Sequence, residues 1–259
     1  MSPSPTPIVP IGSTDLDAAD AIFERFLGEV AYQQLAEWLP EHPHTILDVS
    51  RHCPRLLALM LDQGHTVVHA EPYPQRLGSA PPRGGEGEPG KLLTVTADRR
   101  LVDWVGDRRI DAVVAEGGSL SEALAAELSL DDLHRVLRPG GRLLLCVDSL
   151  VAGLARLADQ GRWAELADVP AADVVLIPGA DGSFSRCFWP EELHSILTAS
   201  GFAVEWVRPR SVLAVETVTR ALQLDPQQLG SLVTTELALA VRRQGESVGG
   251  QLVASAVRT

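Results

Sequence analysis

The sequence predicts an α/β protein with a doubly wound, mostly parallel sheet of seven strands. Short apolar runs alternate with segments of helical periodicity along most of the 259 residues, and glycine and proline separate them. Several of the runs end at an acidic residue, as in the nucleotide-binding units of such sheets. No change of composition divides the chain, so we expect one domain.

This domain is predicted to span residues 15–259, behind a flexible, proline-rich tail over residues 1–14. Apolar side chains at helical spacing over residues 15–39 predict one amphipathic helix, or two broken near Gly28, that covers the sheet. The core of the domain is expected over about residues 45–208. Two short strands around a glycine turn predict a small β insertion over about residues 171–188.

The first half of the sheet begins with a parallel pair of strands joined by one helix, which is a right-handed unit by default. Residues 72–90 come after this pair, and their glycine and proline content predicts a loop where a helix is usual. The predicted elements are strand 46–49, helix 55–63, strand 66–70, strand 91–96 and a short helix at 101–105.

The second half continues the alternation of strands and helices. Its predicted elements are strand 110–115, helix 120–137, strand 142–147, helix 150–160, helix 190–200, strand 202–207, helices 215–224 and 226–243, and strand 250–258. The last strand has to enter or edge a sheet that is already formed, so we expect it to run antiparallel to its neighbours.

Acidic residues stand at or just after four of the predicted strands, namely Asp48, Glu71, Asp98 and Glu116. Gly117 and Gly118 follow the last of them. In an open parallel sheet, ligands bind beyond the carboxyl ends of the strands. We therefore expect a ligand site at this edge of the sheet.

The charge of the chain excludes several kinds of partner. The formal net charge is −12, and affinity for the phosphates of nucleic acid or of an anionic membrane requires clustered basic residues. We expect neither partner. The amino terminus lacks the pattern of a secretion signal, and the three cysteines are widely spaced. These features favour a cytoplasmic protein without a metal site.

Three segments of the chain resemble class I S-adenosylmethionine-dependent methyltransferases. They are ILDV with RLLALMLDQGH, then VVHAEP, and then DDLHRVLRPGGRLLLCVDS. Element by element, the resemblance covers about residues 45–208. It implies the Rossmann-like methyltransferase fold, S-adenosylmethionine as the cofactor, and a small molecule as the methyl acceptor.

The resemblance also implies roles for residues at the strand ends. Glu71, followed by Pro72, matches the acidic residue that holds the ribose hydroxyls, and a carboxylate has two oxygens to accept both protons. Asp98 matches the acidic residue near the adenine amino group, and Ala97 leaves room for the ring. Asp48 matches the acidic residue that ends the first strand.

The turn after the first strand departs from the family. Ser50, His52 and Pro54 stand where the family has three glycines, and Pro54 removes one N–H that would meet the methionine carboxylate. Arg51 could replace this donor with a bidentate contact. One expectation is that Ser50, Arg51 and His52 contact the cofactor through a rearranged turn, and the more direct one is that the altered turn weakens cofactor binding.

The acceptor side is less defined by the sequence. Glu116 and Gly117 lie at the carboxyl end of the fourth strand, where we expect them to contact the cofactor. Glu116 is in addition either a general base or a brace for the turn. Two rival functions stay open because of the altered turn. One is a pseudoenzyme that serves as a partner subunit, with another protein or a second copy of the chain. The other is a non-methylating enzyme, for which Cys53 beside His52 is a candidate thiol.

Overall fold

The computed structural model describes residues 13–51, 53–73, 90–123, 125–172, 174–179 and 182–259. His52, residues 1–12 of the predicted tail and residues 74–89 of the predicted loop lie outside the described residues. The helices are α1 (Ser13–Trp38), α2 (Pro54–Asp62), α3 (Ala126–Val136), α4 (Leu150–Asp159), α5 (Trp163–Asp168), α6 (Pro190–Ala199), α7 (Val215–Leu224) and α8 (Leu229–Arg242). Single 3₁₀ turns occupy Val169–Ala171 and Pro226–Gln228.

Nine strands are described, and seven of them form one sheet. They are β1 (Thr45–Asp48), β2 (Thr66–Ala70), β3 (Lys91–Val95), β4 (Ile110–Ala115), β5 (Leu137–Asp148), β6 (Val175–Pro178), β7 (Phe184–Cys187), β8 (Phe202–Arg210) and β9 (Gln251–Arg258). The large sheet has the order β3-β2-β1-β4-β5-β9-β8. Strands β1 to β5 pair in parallel, and β9 runs antiparallel to both of its neighbours.

The predicted fold class is thereby confirmed, including the antiparallel last strand. This strand enters the sheet between β5 and β8 and does not lie at its edge. The predicted β insertion is a separate hairpin of β6 and β7. Among the described helices, none is long and apolar enough to cross a membrane.

Alternate side chains of β5 explain why helices cover both faces of the sheet. Leu143 and Leu145 pack into a core with α3 and α6, whereas Leu144 and Cys146 pack into a second core with α1 and α2. Because successive strand residues point to opposite faces, a continuous apolar run requires cover on both. The sheet is therefore a middle layer, and its strand ends are left for a site.

The amino-terminal cover is one continuous helix, which settles the alternative of a break at Gly28. α1 packs against α7 and α8 in a small core of its own, built by Phe26, Val30, Val218, Leu222 and Val233. Helix α2 begins at Pro54, whose ring suits the first position of a helix, and it ends before Gly64 at a φ of 82°.

The predicted helix at 101–105 was wrong, because these residues form turns. The guanidinium of Arg135 donates to the carbonyls of Val102 and Val105 at 3.0 and 2.8 Å, so these acceptors are satisfied without a helix. The helix predicted from residue 120 begins at Ala126. Before it, the Ser121 hydroxyl accepts from the Asp148 N–H at 2.8 Å and ties the segment to β5. Helix α5 was missed.

Candidate functional site

Two adjoining cavities lie at the carboxyl ends of the parallel strands. The larger has a volume of about 970 Å³ and lies between the turn after β1, the ends of β4 and β5, helix α4 and the β6–β7 hairpin. The smaller, about 410 Å³, lies at the ends of β2 and β3. Both are lined by Tyr73, Arg99, Arg100 and Glu122. We call the two together the cleft.

The smaller cavity brings together three residues that the sequence predicted for the cofactor, namely Pro72, Ala97 and Asp98. Glu71 precedes Pro72 at the end of β2 and is nearly buried. Its Oε1 accepts from the N–H of Tyr73 at 3.0 Å. The Asp98 carboxylate is already paired with Arg100, at 2.7 Å from Nη2, and this contact lowers the pKa of Asp98.

Asp48 acts inside the protein. Its buried carboxylate accepts from the Ser50 N–H at 3.0 Å and pairs with Nδ1 of His69 at 2.8 Å. Nε2 of the same imidazole lies 4.0 Å from Glu71 Oε2. His69 therefore lies between two of the predicted site carboxylates. His69 was not predicted as a site residue, although its place on β2, two residues before Glu71, is a signal that could have identified it.

The pKa of His69 is raised above its ordinary value. Burial opposes the charged ring, but the hydrogen bond and charge of Asp48, with the charge of Glu71, outweigh burial. A raised folded pKa stabilises the protein fully below the unfolded value of about 6.5, and this contribution is lost as pH rises through the folded pKa. Replacing His69 by glutamine should therefore cost more stability at about pH 6 than at about pH 8.

Urea unfolding of the wild type and His69→Gln at both pH values measures this difference. His194→Gln is a suitable control, since His194 is an exposed residue of α6. A cost of His69→Gln that is equal at the two pH values, or larger at the higher one, would show that the pair with Asp48 does not hold the proton.

The turn after β1 lies directly on the end of β4. Beyond the strand, the N–H of Val49 donates to Val114 O, and that of Arg51 donates to Glu116 O, both at 2.9 Å. Gly117 has a φ of 72°, and a Cβ on it would lie 2.9 Å from the carbonyl oxygen of Arg51. The close approach of the two segments thus requires glycine at 117.

Cys53 does not have the properties of a reactive thiol. Burial, followed by the charges of Glu116 and Asp48, raises its pKa to about 12. The Sγ atom donates to Arg51 O at 3.3 Å. Since the thiolate is the nucleophile, this thiol offers no support for the non-methylating alternative that used it.

Glu116 braces the fold. Its two carboxylate oxygens accept from Nη1 and Nη2 of Arg210 on β8, at 2.8 and 2.9 Å, and the two side chains are 2% and 3% exposed. Charge and hydrogen bonds from Glu116 outweigh burial and raise the pKa of Arg210. Nε of Arg210 also donates to Gln34 of α1. Of the two roles predicted for Glu116, base or brace, the geometry supports the brace, and its side chain lines neither cavity.

A different carboxylate faces the cleft from the end of β5. Oδ2 of Asp148 accepts from Ser185 Oγ at 2.6 Å and from Arg156 Nη2 at 2.9 Å. Oδ1 points towards Gly118, where a Cβ would lie 3.6 Å away. One oxygen is therefore held by α4 and the hairpin while the other faces the end of β4. Asp148 was not predicted as a site residue, although it too is acidic and ends a strand.

The chain matches no protein-family model and no curated protein. Solved structures do match it. A SAM-dependent methyltransferase from Methanosarcina mazei is 17% identical with a TM-score of 0.55, over 86% of this chain and 95% of that one. The 1,6-didemethyltoxoflavin N1-methyltransferase from Burkholderia thailandensis is 17% identical with a TM-score of 0.54, over 100% and 94%. A methyltransferase from Mesorhizobium loti is 14% identical with a TM-score of 0.53, over 88% and 98%.

The chain has the class I methyltransferase fold. The smaller cavity, with Pro72, Ala97 and Asp98 in its lining, has a volume that fits a nucleoside, whereas Glu71 is buried beside it and lines neither cavity. The site for the methionine half of S-adenosylmethionine is different. The N–H groups of Val49, Ser50 and Arg51 all donate to acceptors within the protein, and Pro54 has no N–H. These four described residues of the turn therefore leave no backbone N–H free for a ligand.

Proposed function

We propose that this chain is an S-adenosylmethionine-dependent methyltransferase that acts on a small molecule. The observation that carries the proposal is the cavity of about 410 Å³ lined by Pro72, Ala97 and Asp98. It lies directly after Glu71 and shares a wall with a cavity large enough for an acceptor. A nucleoside and a second small molecule would thus meet at the carboxyl ends of the strands.

Each residue of the cofactor end has a role under this proposal. Glu71 accepts hydrogen bonds from the ribose hydroxyls, Ala97 leaves space for the adenine ring, and Asp98 exchanges part of its pairing with Arg100 for the adenine amino group. When bound, the cofactor supplies a methyl group activated by its positively charged sulfur. The protein contributes mainly by holding the two molecules close and in the right orientation.

The acceptor end is built around Asp148. Ser185 and Arg156 fix one of its oxygens, so the other is held in place to accept a hydrogen bond from a hydroxyl or amino group. Phe184 and Ile177 of the hairpin supply apolar contact beside it. The acceptor that fits is a small molecule with one N–H or O–H donor and an apolar part.

Calorimetric titration with S-adenosylmethionine and S-adenosylhomocysteine tests the proposal. We expect both to bind, and we expect Glu71→Ala to weaken binding by about 1.5–3 kcal/mol, the usual contribution of hydrogen bonds to a charged group. Glu29→Ala serves as a control, because Glu29 belongs to α1 and pairs with Arg55, and not with any residue at the end of β2. Unchanged affinity in Glu71→Ala would contradict the placement of the ribose.

A second candidate function rests on the turn after β1. The backbone of this turn is hydrogen-bonded to β4 and to Glu116 as far as Arg51. The space between the turn and Gly117, where a cofactor would have to fit, is therefore narrow. This favours a methyltransferase-fold subunit that binds another protein or a second copy of the chain, or a non-methylating enzyme. Absence of heat and of a thermal shift at millimolar S-adenosylmethionine would favour this candidate, and recovery of a stable complex on purification would identify the subunit role.

A further inference from the structure

The cleft carries an excess of positive charge in a chain of net charge −12. Four arginines line its larger cavity, against the two carboxylates of Glu122 and Asp148. Arg156 pairs with Asp148, and Arg100 pairs with Asp98 in the adjoining cavity. The two arginines that remain, Arg51 and Arg99, share one carboxylate. We call Arg51, Glu122 and Arg99 the shared ion pair.

The geometry of the shared ion pair leaves its donors weakly used. Arg51 Nη1 lies 3.1 Å from Glu122 Oε1. Arg99 Nη2 lies 3.5 Å from Glu122 Oε2, and its Nη1 lies 3.5 Å from Ser50 O. Both contacts of Arg99 are at the limit of a hydrogen bond, although the side chain is only 11% exposed. A guanidinium that is shielded from water and lacks a short contact with an anion is stabilised when an anion binds within hydrogen-bond distance of it.

The location of the shared ion pair connects it to the turn after β1. Arg51 belongs to the turn, Arg99 contacts Ser50 within it, and Glu122 lies opposite, in the segment after β4. The backbone N–H groups of Val49, Ser50 and Arg51 are all occupied. At these three described residues, an anion would have to be met by side chains, and the guanidiniums of Arg51 and Arg99 are the donors that line the cleft beside them.

A zwitterionic α-amino acid group complements the shared ion pair. Its carboxylate can accept from Arg51 and Arg99, and its ammonium can donate to Glu122, so each member exchanges one partner for another of the same charge. No ion is left buried without a partner by this exchange, which avoids the main cost of opening a partly buried pair. A simple anion would satisfy the arginines and leave Glu122 unpaired.

We propose that Arg51, Glu122 and Arg99 bind the amino acid end of the cofactor through their side chains, in place of backbone donors. This inference rests on the proposed function, because it assumes that the nucleoside end binds beside Glu71. The amino acid group enters by exchange of partners, with its carboxylate taking the place of Glu122 at the two arginines and its ammonium pairing with Glu122.

The test compares two ligands that differ in the amino acid end. S-adenosylhomocysteine carries the α-amino acid group, and 5′-methylthioadenosine lacks it but keeps the nucleoside and the sulfur. Each is titrated calorimetrically into the wild type, Arg51→Gln, Arg99→Gln and Glu122→Gln. Arg55→Gln is the matched control, since Arg55 is as exposed as Arg51 and pairs with Glu29 outside the cleft.

We expect Arg51→Gln and Arg99→Gln each to weaken S-adenosylhomocysteine about tenfold or more. Arg51→Gln should leave 5′-methylthioadenosine within about twofold of the wild type, because Arg51 lines the larger cavity and not the smaller one. Arg55→Gln should change the affinity for neither ligand.

If all variants bind S-adenosylhomocysteine as the wild type does, or lose both ligands equally, the inference is overturned while the proposed function stands. If the wild type binds neither ligand, the proposed function fails, and this inference fails with it. Should Arg99→Gln not fold, Arg51→Gln, which alters an exposed side chain, decides alone.

Discussion

Replacing Arg210 by methionine should lower the free energy of unfolding by about 3–5 kcal/mol, because it leaves the Glu116 carboxylate buried without its partner. The substitution also removes the hydrogen bond from Nε to Gln34, which connects β8 to α1. Urea unfolding followed by far-ultraviolet circular dichroism measures the loss.

The double variant Glu116→Leu, Arg210→Met provides the decisive comparison. Removing both charges leaves no uncompensated ion, so most of the lost stability should return. Arg243→Met serves as the exposed control, since Arg243 pairs with Glu246 in water and such pairs contribute about 0–1 kcal/mol. If Glu116→Gln were instead to abolish methylation without lowering stability, Glu116 would be a base and the brace assignment would be wrong.

Replacing Glu236 by alanine should cost about 2–4 kcal/mol. This side chain of α8 is fully buried, and its two oxygens accept from the backbone N–H groups of Val212 and Leu213 at 2.8 and 2.9 Å. Without the carboxylate, both N–H groups lose their partner, and each unsatisfied buried group costs about 1–3 kcal/mol. Thermal unfolding and urea unfolding both report this change.

Glu236→Gln separates the hydrogen bonds from the packing of the side chain. The amide keeps the volume but offers one acceptor and two donors, so it can satisfy only one of the two N–H groups well. Glu236→Gln should therefore lower the free energy of unfolding, but by less than Glu236→Ala does. Glu216→Ala, at an exposed position in the first turn of α7, is the control and should cost less than about 1 kcal/mol. An equal cost for Glu236→Ala and Glu216→Ala would refute the role of the buried carboxylate.

The strands could be predicted from the sequence because each is a short apolar run bounded by glycine, proline or polar turn residues. The strand predicted at 110–115 coincides with β4, since a strand buried on both faces must be apolar throughout. The helix at 101–105 was wrong for a reason that local pattern does not contain. Its carbonyls are satisfied by Arg135, about 30 residues later in the chain.

The same limit applies to the site. The parallel sheet brings the ends of its strands to one edge, so Glu71 and Asp98 could be predicted to lie at that edge. The residues with which the acidic groups pair could not be predicted, because they come from distant segments of the chain. Glu116 is neutralised by Arg210, 94 residues away, and this pairing decides that it braces the fold. Likewise, Glu122 meets Arg51 and Arg99 only because the segment after β4 turns back over the cleft.

The position of β9 has a consequence for the order in which the molecule can assemble. β8 pairs with β9 and, within the described residues, with no other strand. During synthesis, β8 and the free side of β5 must therefore wait until residues 251–258 have left the ribosome. Until then, two strand edges have unpaired backbone groups, and such edges are sites of aggregation between chains. Shortening the chain before Gln251 should divide the sheet and make the remainder prone to aggregate.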